Sequence, residues 1–247
     1  MDNSMGKYWT QASENYGRII DDELNSFRPD AWKSLIFGEV FTEKKLKILD
    51  VGTGPGFFAI ILSQEGHEVT GIDCSEGMLA VARENARKNR VNPTLRMMDS
   101  HHPDFEDSTF DLIVSRNLTW TLKDPRAVYQ EWHRILKPLG KLLIFDANWH
   151  HYFFNENLMK EVKRREKQCV EKYGSTFSGD RAGGLTIDYK LLPFSKIMRP
   201  DWDIDALNDC GFTSVDYIRD ITEKVWDEKE KLLYGASPMF MVSALKG

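Results

Sequence analysis

The chain has 247 residues, of which 41% are hydrophobic, 12% aromatic and 29% charged, a composition typical of globular proteins and not of fibres or disordered chains. A formal net charge of −5 argues against a surface built for nucleic acid. No apolar run approaches the roughly 20 residues that cross a bilayer, and no signal-peptide pattern is present, so we expect a cytoplasmic protein without a membrane span.

Residues 1–45 carry no strand pattern but contain many aromatic side chains, among them Tyr8, Trp9 and Tyr16. We expect a helical cap here that covers one end of a sheet. The three cysteines of the chain, Cys74, Cys169 and Cys210, lie too far apart in sequence to suggest a disulfide framework or a zinc module, and no metal is expected.

From residue 46 onward, short apolar runs alternate with helical patterns. Ser75 is the expected N-cap of the second of these helices. The predicted strands are 47–51, 67–73, 94–98, 110–115 and 141–146, and the predicted helices are 57–64, 76–89 and 125–136. This alternation predicts a doubly wound α/β sheet, parallel and covered by helices on both faces.

After His150 this alternation stops. A long polar helix is predicted over 155–173, followed by a segment rich in turn residues up to 200. Strand signals return at 213–218 and 239–245 and predict two antiparallel closing strands. We therefore expect a cap (1–45), a cofactor-binding core (46–149), an insertion that forms a substrate lid (150–205), and closing strands of the same sheet (206–247).

A glycine-rich turn, Asp50-Val51-Gly52-Thr53-Gly54-Pro55-Gly56, follows the first predicted strand, where doubly wound sheets bind ligands. Its G-x-G-x-G spacing differs from the G-x-G-x-x-G of dinucleotide enzymes. The Asp50 carboxylate would repel a pyrophosphate and attract a cationic amine, and it equally suits a cap on the turn's own backbone. Asp73 ends the second strand, where an acid accepts both hydroxyls of a ribose. Asp99 ends the third.

Five segments, 50–56, 71–73, 98–100, 110–115 and 136–142, stand in the order of five known motifs. Together they resemble class I S-adenosylmethionine-dependent methyltransferases, nearest the branch of ubiquinone/menaquinone C-methyltransferases. The resemblance covers about residues 46–147, and residues 207–212 are similar to the helix that leads into the family's closing strands. It implies a seven-stranded Rossmann-like sheet of order 3-2-1-4-5-7-6 with an antiparallel last strand. S-adenosylmethionine is the implied cofactor and S-adenosylhomocysteine the product.

The resemblance also implies where the cofactor lies. The glycine turn would border the methionine moiety, Asp73 the ribose, and Asp99 with the Ser100 backbone the adenine edge. Met78 would pack on the adenine or ribose, and the backbone at Arg116 and Asn117 would border the sulfonium. The expected cofactor-binding residues are Asp50, Gly52, Thr53, Gly54, Gly56, Asp73, Cys74, Met78, Asp99, Ser100, Arg116 and Asn117.

Methyl transfer is an in-line displacement, which needs alignment and exclusion of water more than reactive side chains. Candidates on the acceptor side lie in the cap or follow the fourth and fifth strands: Tyr16, Trp120, Asp146, Asn148 and His150. If a proton is removed, His150 or Tyr16 is the expected base. Tyr8, Trp9 and Tyr16 suit an aromatic lid as well as core packing.

Basic residues of the insertion are alternative ligands for an acceptor carboxylate, and solvated surface is the other interpretation of them. They are Arg181, Lys190 and Arg199, with Trp202 nearby.

We expect a small-molecule acceptor, because a cap and a lid would enclose a compact site. Two alternatives stay open: a methyltransferase acting on RNA or protein, and a non-catalytic module that binds the cofactor. Ser115-Arg116-Asn117-Leu118 after the fourth strand differs from the Asn-Pro-Pro-Tyr of enzymes that methylate amino groups of bases.

Overall fold

The computed structural model describes residues 4–40, 44–176 and 188–247. The strands in these residues are β1 Lys47–Val51, β2 Glu68–Asp73, β3 Thr94–Met97, β4 Phe110–Arg116, β5 Leu136–Asp146, β6 Phe212–Ile218 and β7 Phe240–Lys246. They form one sheet in the order β3-β2-β1-β4-β5-β7-β6. β1 to β5 pair in parallel, and β7 runs antiparallel to β5 and β6. The predicted fold class and strand order are confirmed.

Helices cover both faces of the sheet, and their ends follow local capping chemistry. The Ser75 side chain accepts the Met78 amide, as predicted, and Asn155 caps the long polar helix in the same way. The helices are α1 Ser4–Leu24, α2 Arg28–Glu39, α3 Phe57–Gln64, α4 Glu76–Lys88, α5 Pro125–Ile135, α6 Glu156–Tyr173, α7 Asp201–Asp209, α8 Thr222–Val225 and α9 Glu228–Tyr234. None of these described helices has the length and apolar character needed to cross a bilayer.

Two apolar layers sandwich the sheet because successive strand residues point to opposite faces. Along β4, Leu112 and Val114 pack with α2 and α3, whereas Ile113 packs with α5 on the other side. Burial of both faces explains why the central strands are continuous apolar runs.

The predicted start of β5 is wrong. β5 begins at Leu136 and not at residue 141, because Leu136 already pairs with Phe110 before a register shift that takes up residues 137–140. α7 begins at Asp201, so the boundary expected between 205 and 206 falls inside a helix.

The N-terminal helix α1 lies across the carboxyl ends of the strands. A Cβ added to Gly17 would stand 2.7 Å from Val81 on α4, so this glycine allows the two helices to approach closely. The Thr10 hydroxyl lies 2.9 Å from that of Ser75, and Glu23 pairs with Arg116 at the end of β4. α1 thus extends from the end of β2 to the end of β4.

Candidate functional site

The glycine turn after β1 is held against β2. Gly52 and Thr53 both donate their amides to the Ile72 carbonyl, and Gly52 has a φ of +72°, which favours glycine. A Cβ added to Gly52 would stand 3.0 Å from Leu118, whereas one at Gly54 would meet only a carbonyl at 4.0 Å. The turn therefore leaves open space above Gly54, where a ligand can approach the backbone.

Asp50 caps this turn from below. Its side chain is 2% exposed, and Oδ2 accepts the Thr53 hydroxyl at 2.6 Å and the Ala59 amide at 3.1 Å. Burial raises the pKa of Asp50 to about 6, although these two hydrogen bonds act to lower it. The capping interpretation is the one this geometry displays, and the Thr53 hydroxyl is used by Asp50.

Asp73 links the glycine turn to the start of α4. One carboxylate oxygen accepts the Gly54 amide at 3.0 Å and the other accepts the Ser75 amide at 2.9 Å. Burial raises the pKa of Asp73 to about 6 against the effect of these amides. Since each carboxylate oxygen has a second acceptor direction, the side chain has capacity for ribose hydroxyls. An open glycine turn beside this acid fits an adenosyl cofactor.

The remaining predicted cofactor residues line the same edge. Met78 is buried at the start of α4, and Cys74 is exposed just after Asp73. Asp99 Oδ1 lies 2.9 Å from both the amide and Nδ1 of His101. Partial burial raises the pKa of Asp99, but these His101 hydrogen bonds outweigh it and bring the pKa below its usual value. Ser100 follows directly. Their roles toward the cofactor stay predictions.

A cavity of about 330 Å³ adjoins the end of β4. Its wall combines residues from α1 and α2, the ends of β4 and β5, α6, and the segment from α8 to β7. Nine of its described side chains are aromatic: Trp9, Tyr16, Trp32, Trp120, Trp149, Tyr152, Tyr189, Trp226 and Tyr234. Arg116 and Asn117 also lie on this wall, so the cavity begins where the predicted sulfonium site ends.

Three of the five predicted acceptor-side residues, Tyr16, Trp120 and His150, meet on this wall. The His150 ring lies 4.9 Å from Trp120 and stacks on Tyr189 at 4.1 Å. Burial raises the pKa of Tyr16, so its phenol stays protonated at neutral pH and is unsuited to act as a base.

The other two candidates, Asp146 and Asn148, contact other parts of the protein, and their contact with the acceptor stays a prediction. Asp146 is fully buried, and neither residue lies on the cavity wall. Both amide atoms of Asn148 are bound to the backbone of Arg199, at 3.0 and 3.1 Å. Asn148 therefore attaches the segment before α7 to the end of β5.

Asp146 instead holds the wall in place from behind. Oδ2 accepts the Trp120 amide at 3.0 Å, and Oδ1 accepts the Trp149 indole N–H at 3.0 Å. The guanidinium of Arg199, itself fully buried, lies 3.1 Å from Asp146 and 2.8 Å from Asp203. Burial acts to lower the pKa of Arg199, but its carboxylate partners raise it above the usual value, so Arg199 stays charged.

Lys190 and Arg199, the two candidate basic residues of the insertion that the structure describes, do not line the cavity. Arg199 belongs to the buried ion pairs, Lys190 is exposed, and Trp202 packs on Phe194. Arg181 lies outside the described residues. No group of metal-ligating side chains occurs in the ranges that the structure describes.

Sequence reasoning predicted Arg116 beside the sulfonium but missed the other charged residues of the wall, which are Glu23, Arg28, Glu166 and Glu230. Arg28 pairs with Asp227 and Glu230, and Arg116 pairs with Glu23 at 2.8 Å. The first cluster joins α2 to the cap of α9, where Asp227 and Glu230 form a capping box. This D-x-x-E pattern can be found in the sequence, but its arginine partner lies about 200 positions away in the chain.

The sheet order, the glycine turn and the acid after β2 define a Rossmann-like methyltransferase fold. Residues 49–144 match the family model described as a methyltransferase domain. Phosphoethanolamine N-methyltransferase 3 of Arabidopsis thaliana is 34% identical over 194 residues, 77% of this chain and 40% of that relative. A ubiquinone biosynthesis O-methyltransferase of Coxiella burnetii is 31% identical over 107 residues, 43% of this chain and 46% of that relative.

A solved structure supports the fold over most of the chain. Phosphoethanolamine N-methyltransferase 2 of Haemonchus contortus, in complex with S-adenosyl-L-methionine, superposes with a TM-score of 0.60 at 19% identity. The match covers 87% of this chain and 51% of that chain. The chain spans about half the length of the curated relatives it matches.

Residues 49–144 of the chain are a methyltransferase domain of the class I S-adenosylmethionine-dependent kind, and S-adenosylmethionine is the cofactor of this class. The predicted family is confirmed. The C-methyltransferase branch stays a prediction.

Proposed function

We propose that this chain transfers the methyl group of S-adenosylmethionine to a small molecule bound in the aromatic cavity. One observation carries the proposal: the cavity begins at Asn117, whose neighbour Leu118 packs against Gly52 of the glycine turn. An acceptor in the cavity would face the methyl group on the side opposite the departing sulfur, as in-line displacement requires.

When bound, S-adenosylmethionine supplies an electrophilic methyl group. The open backbone at Gly54 would receive its methionine part, and Asp73 would accept its ribose hydroxyls. The cavity walls then need only orient the acceptor and exclude water. Asp146 contributes indirectly, because it fixes both Trp120 and Trp149.

His150 is the proposed base where the acceptor must lose a proton, since its ring lies on the wall beside Trp120. The walls that α1 and α9 add around the cavity support a small acceptor over the macromolecular alternative. The acceptor panel includes phosphoethanolamine as a reference compound, because one relative is named for methylating it.

Calorimetry with S-adenosylhomocysteine and NAD tests the cofactor site. We expect S-adenosylhomocysteine to bind and NAD not to bind, and tighter binding of NAD would contradict the proposal.

The Trp120→Ala and His150→Ala variants test the cavity in a methyl-transfer assay over an acceptor panel. We expect lower turnover while S-adenosylhomocysteine affinity stays within about threefold, or ~0.7 kcal/mol. Lys123→Ala, at an exposed position close to Trp120 in sequence, is the matched control. Cofactor binding without transfer to any acceptor would favour the non-catalytic module.

A further inference from the structure

We infer that the acceptor is an amine that enters the cavity as a cation, and that it carries neither a carboxylate nor a phosphate. The inference rests on the proposed function, because the amine nitrogen is the atom that receives the methyl group. Charge, aromatic surface and a buried polar atom of the wall support it independently.

The charged groups of the wall leave an excess of negative charge. On the wall, Arg116 pairs with Glu23 and Arg28 pairs with Glu230, and a second partner of Arg28, Asp227, is not on the wall. Glu166 adds a further carboxylate at the exposed side of the wall. No lysine and no other arginine lies on this wall within the described part of the chain.

Neither guanidinium of the wall is available to an anion. Arg116 lies 4.5 Å from the centre of the Phe57 ring while it holds Glu23, and Arg28 is 8% exposed between its two acids. A carboxylate or phosphate in the cavity would thus be desolvated near the three acids of the wall without a cation of its own, which is unfavourable. An ammonium would balance them.

Aromatic rings line the same cavity wall as these acids. The contacts fall in two groups: Trp9 with Tyr16 and Trp120 at 5.9 and 6.4 Å, and Trp149 with Trp226 and Tyr234 at 6.1 and 5.5 Å. A cation within about 6 Å of such ring centres is attracted by their electron-rich faces. Rings and acids together favour a cation over a neutral molecule of the same shape.

A buried oxygen lies at the junction with the cofactor turn. Asn117 Oδ1 is buried and makes no hydrogen bond among the described residues. Asn117 has a φ of +55°, a left-handed conformation that asparagine adopts more readily than most residues. An N–H of the acceptor amine would satisfy this oxygen next to the methyl group. Trp32 Nε1, a neutral donor on the same wall, is also unsatisfied and suits an oxygen elsewhere in the acceptor.

Methyl transfer to an amine balances in atoms and electrons. The bound ammonium first loses one proton, to His150 or water, and exposes its nitrogen lone pair. This pair forms the N–C bond as the C–S bond breaks, sulfur keeps the bonding electrons, and the product is a methylated ammonium.

A set of matched probes tests the inference on the full chain saturated with S-adenosylhomocysteine. Methylamine, butylamine and benzylamine are compared by calorimetry at pH 7.5 with the alcohol and the carboxylate of the same skeleton. We expect at least one amine to bind tenfold or more tightly than both counterparts, and the same amine to be methylated when S-adenosylmethionine is supplied. Equal or weaker binding of the amines overturns the inference, and so does absence of amine binding up to 10 mM, a ceiling of about 2.7 kcal/mol.

Glu230→Gln removes one acid but keeps an oxygen for the capping box. We expect it to weaken amine binding at least fivefold and to leave alcohol binding within twofold, whereas the exposed neighbour Glu228→Gln changes neither. If Glu230→Gln fails to fold, the wild-type probe series still decides. Failure to bind S-adenosylhomocysteine would refute the proposed function, while binding without amine preference would refute this inference alone.

Discussion

Replacing Arg199 by Met tests whether the buried ion pairs support the cavity wall. Arg199, Asp146 and Asp203 are all fully buried, and the guanidinium bonds both carboxylates. Methionine fills a similar apolar volume but leaves two buried acids with no cation between them. Asp146 keeps donors from Thr119, Trp120, Ala147 and Trp149. Among the described residues, the side chain of Asp203 keeps one donor, the Tyr129 hydroxyl.

The expected loss is large because a buried charge loses its counter-ion. Breaking one such pair destabilises a protein by about 3–5 kcal/mol. In a chain of this size, each kcal/mol lowers the melting temperature by about 2–4 °C, which gives a drop of roughly 6–20 °C. Arg199→Met/Asp203→Asn should recover part of this loss, since one buried negative charge less remains.

Urea unfolding followed by tryptophan fluorescence measures the effect, with Arg219→Met as the matched control. Arg219 pairs with Asp201 at the start of α7, the helix that also carries Asp203, but both side chains are more than half exposed (57% and 63%). The control should therefore lose no more than about 1 kcal/mol of unfolding free energy. A loss below about 1 kcal/mol for Arg199→Met would refute the assigned role of this ion-pair cluster.

Three further predictions concern the cofactor. Asp73→Ala should weaken S-adenosylhomocysteine binding at least tenfold, about 1.5 kcal/mol, because hydrogen bonds to a charged acceptor are lost. Asp104→Ala, at an exposed position, should not weaken it. Equal dissociation constants for Asp73→Ala and the wild type would exclude Asp73 from the site. Burial raises the pKa of Asp73 to about 6, and its ionised form is the better hydrogen-bond acceptor. The affinity for S-adenosylhomocysteine should therefore be constant above about pH 7 and fall as the pH drops through 6. A flat calorimetric profile from about pH 5 to 8 would contradict this. Residues 4–24 and 188–200 should resist limited proteolysis better with ligand bound, and identical digestion would argue against a lid.

Features that depend on neighbouring residues could be predicted from the sequence. Apolar runs alternating with helical patterns were sufficient for the order of elements, since strand pairing and right-handed crossovers leave few arrangements. Gly52 and Gly54 were recognisable because a single turn sets their spacing, and Asp73 was recognisable because it ends the second predicted strand. The Ser75 cap follows from the same local chemistry.

The acceptor side depends on residues far apart in the chain, and only the tertiary structure brings them together. From its position at the end of β5, Asp146 looks like a residue that lines a pocket. In the structure it is buried against Arg199, so it positions the wall instead of forming it. Glu23, Trp226 and Glu230 come from opposite ends of the chain and carry no mutual signal. They form one site only because the fold brings α1 and α9 to the wall of the same cavity. Electrostatic and aromatic contacts act through space and not along the sequence.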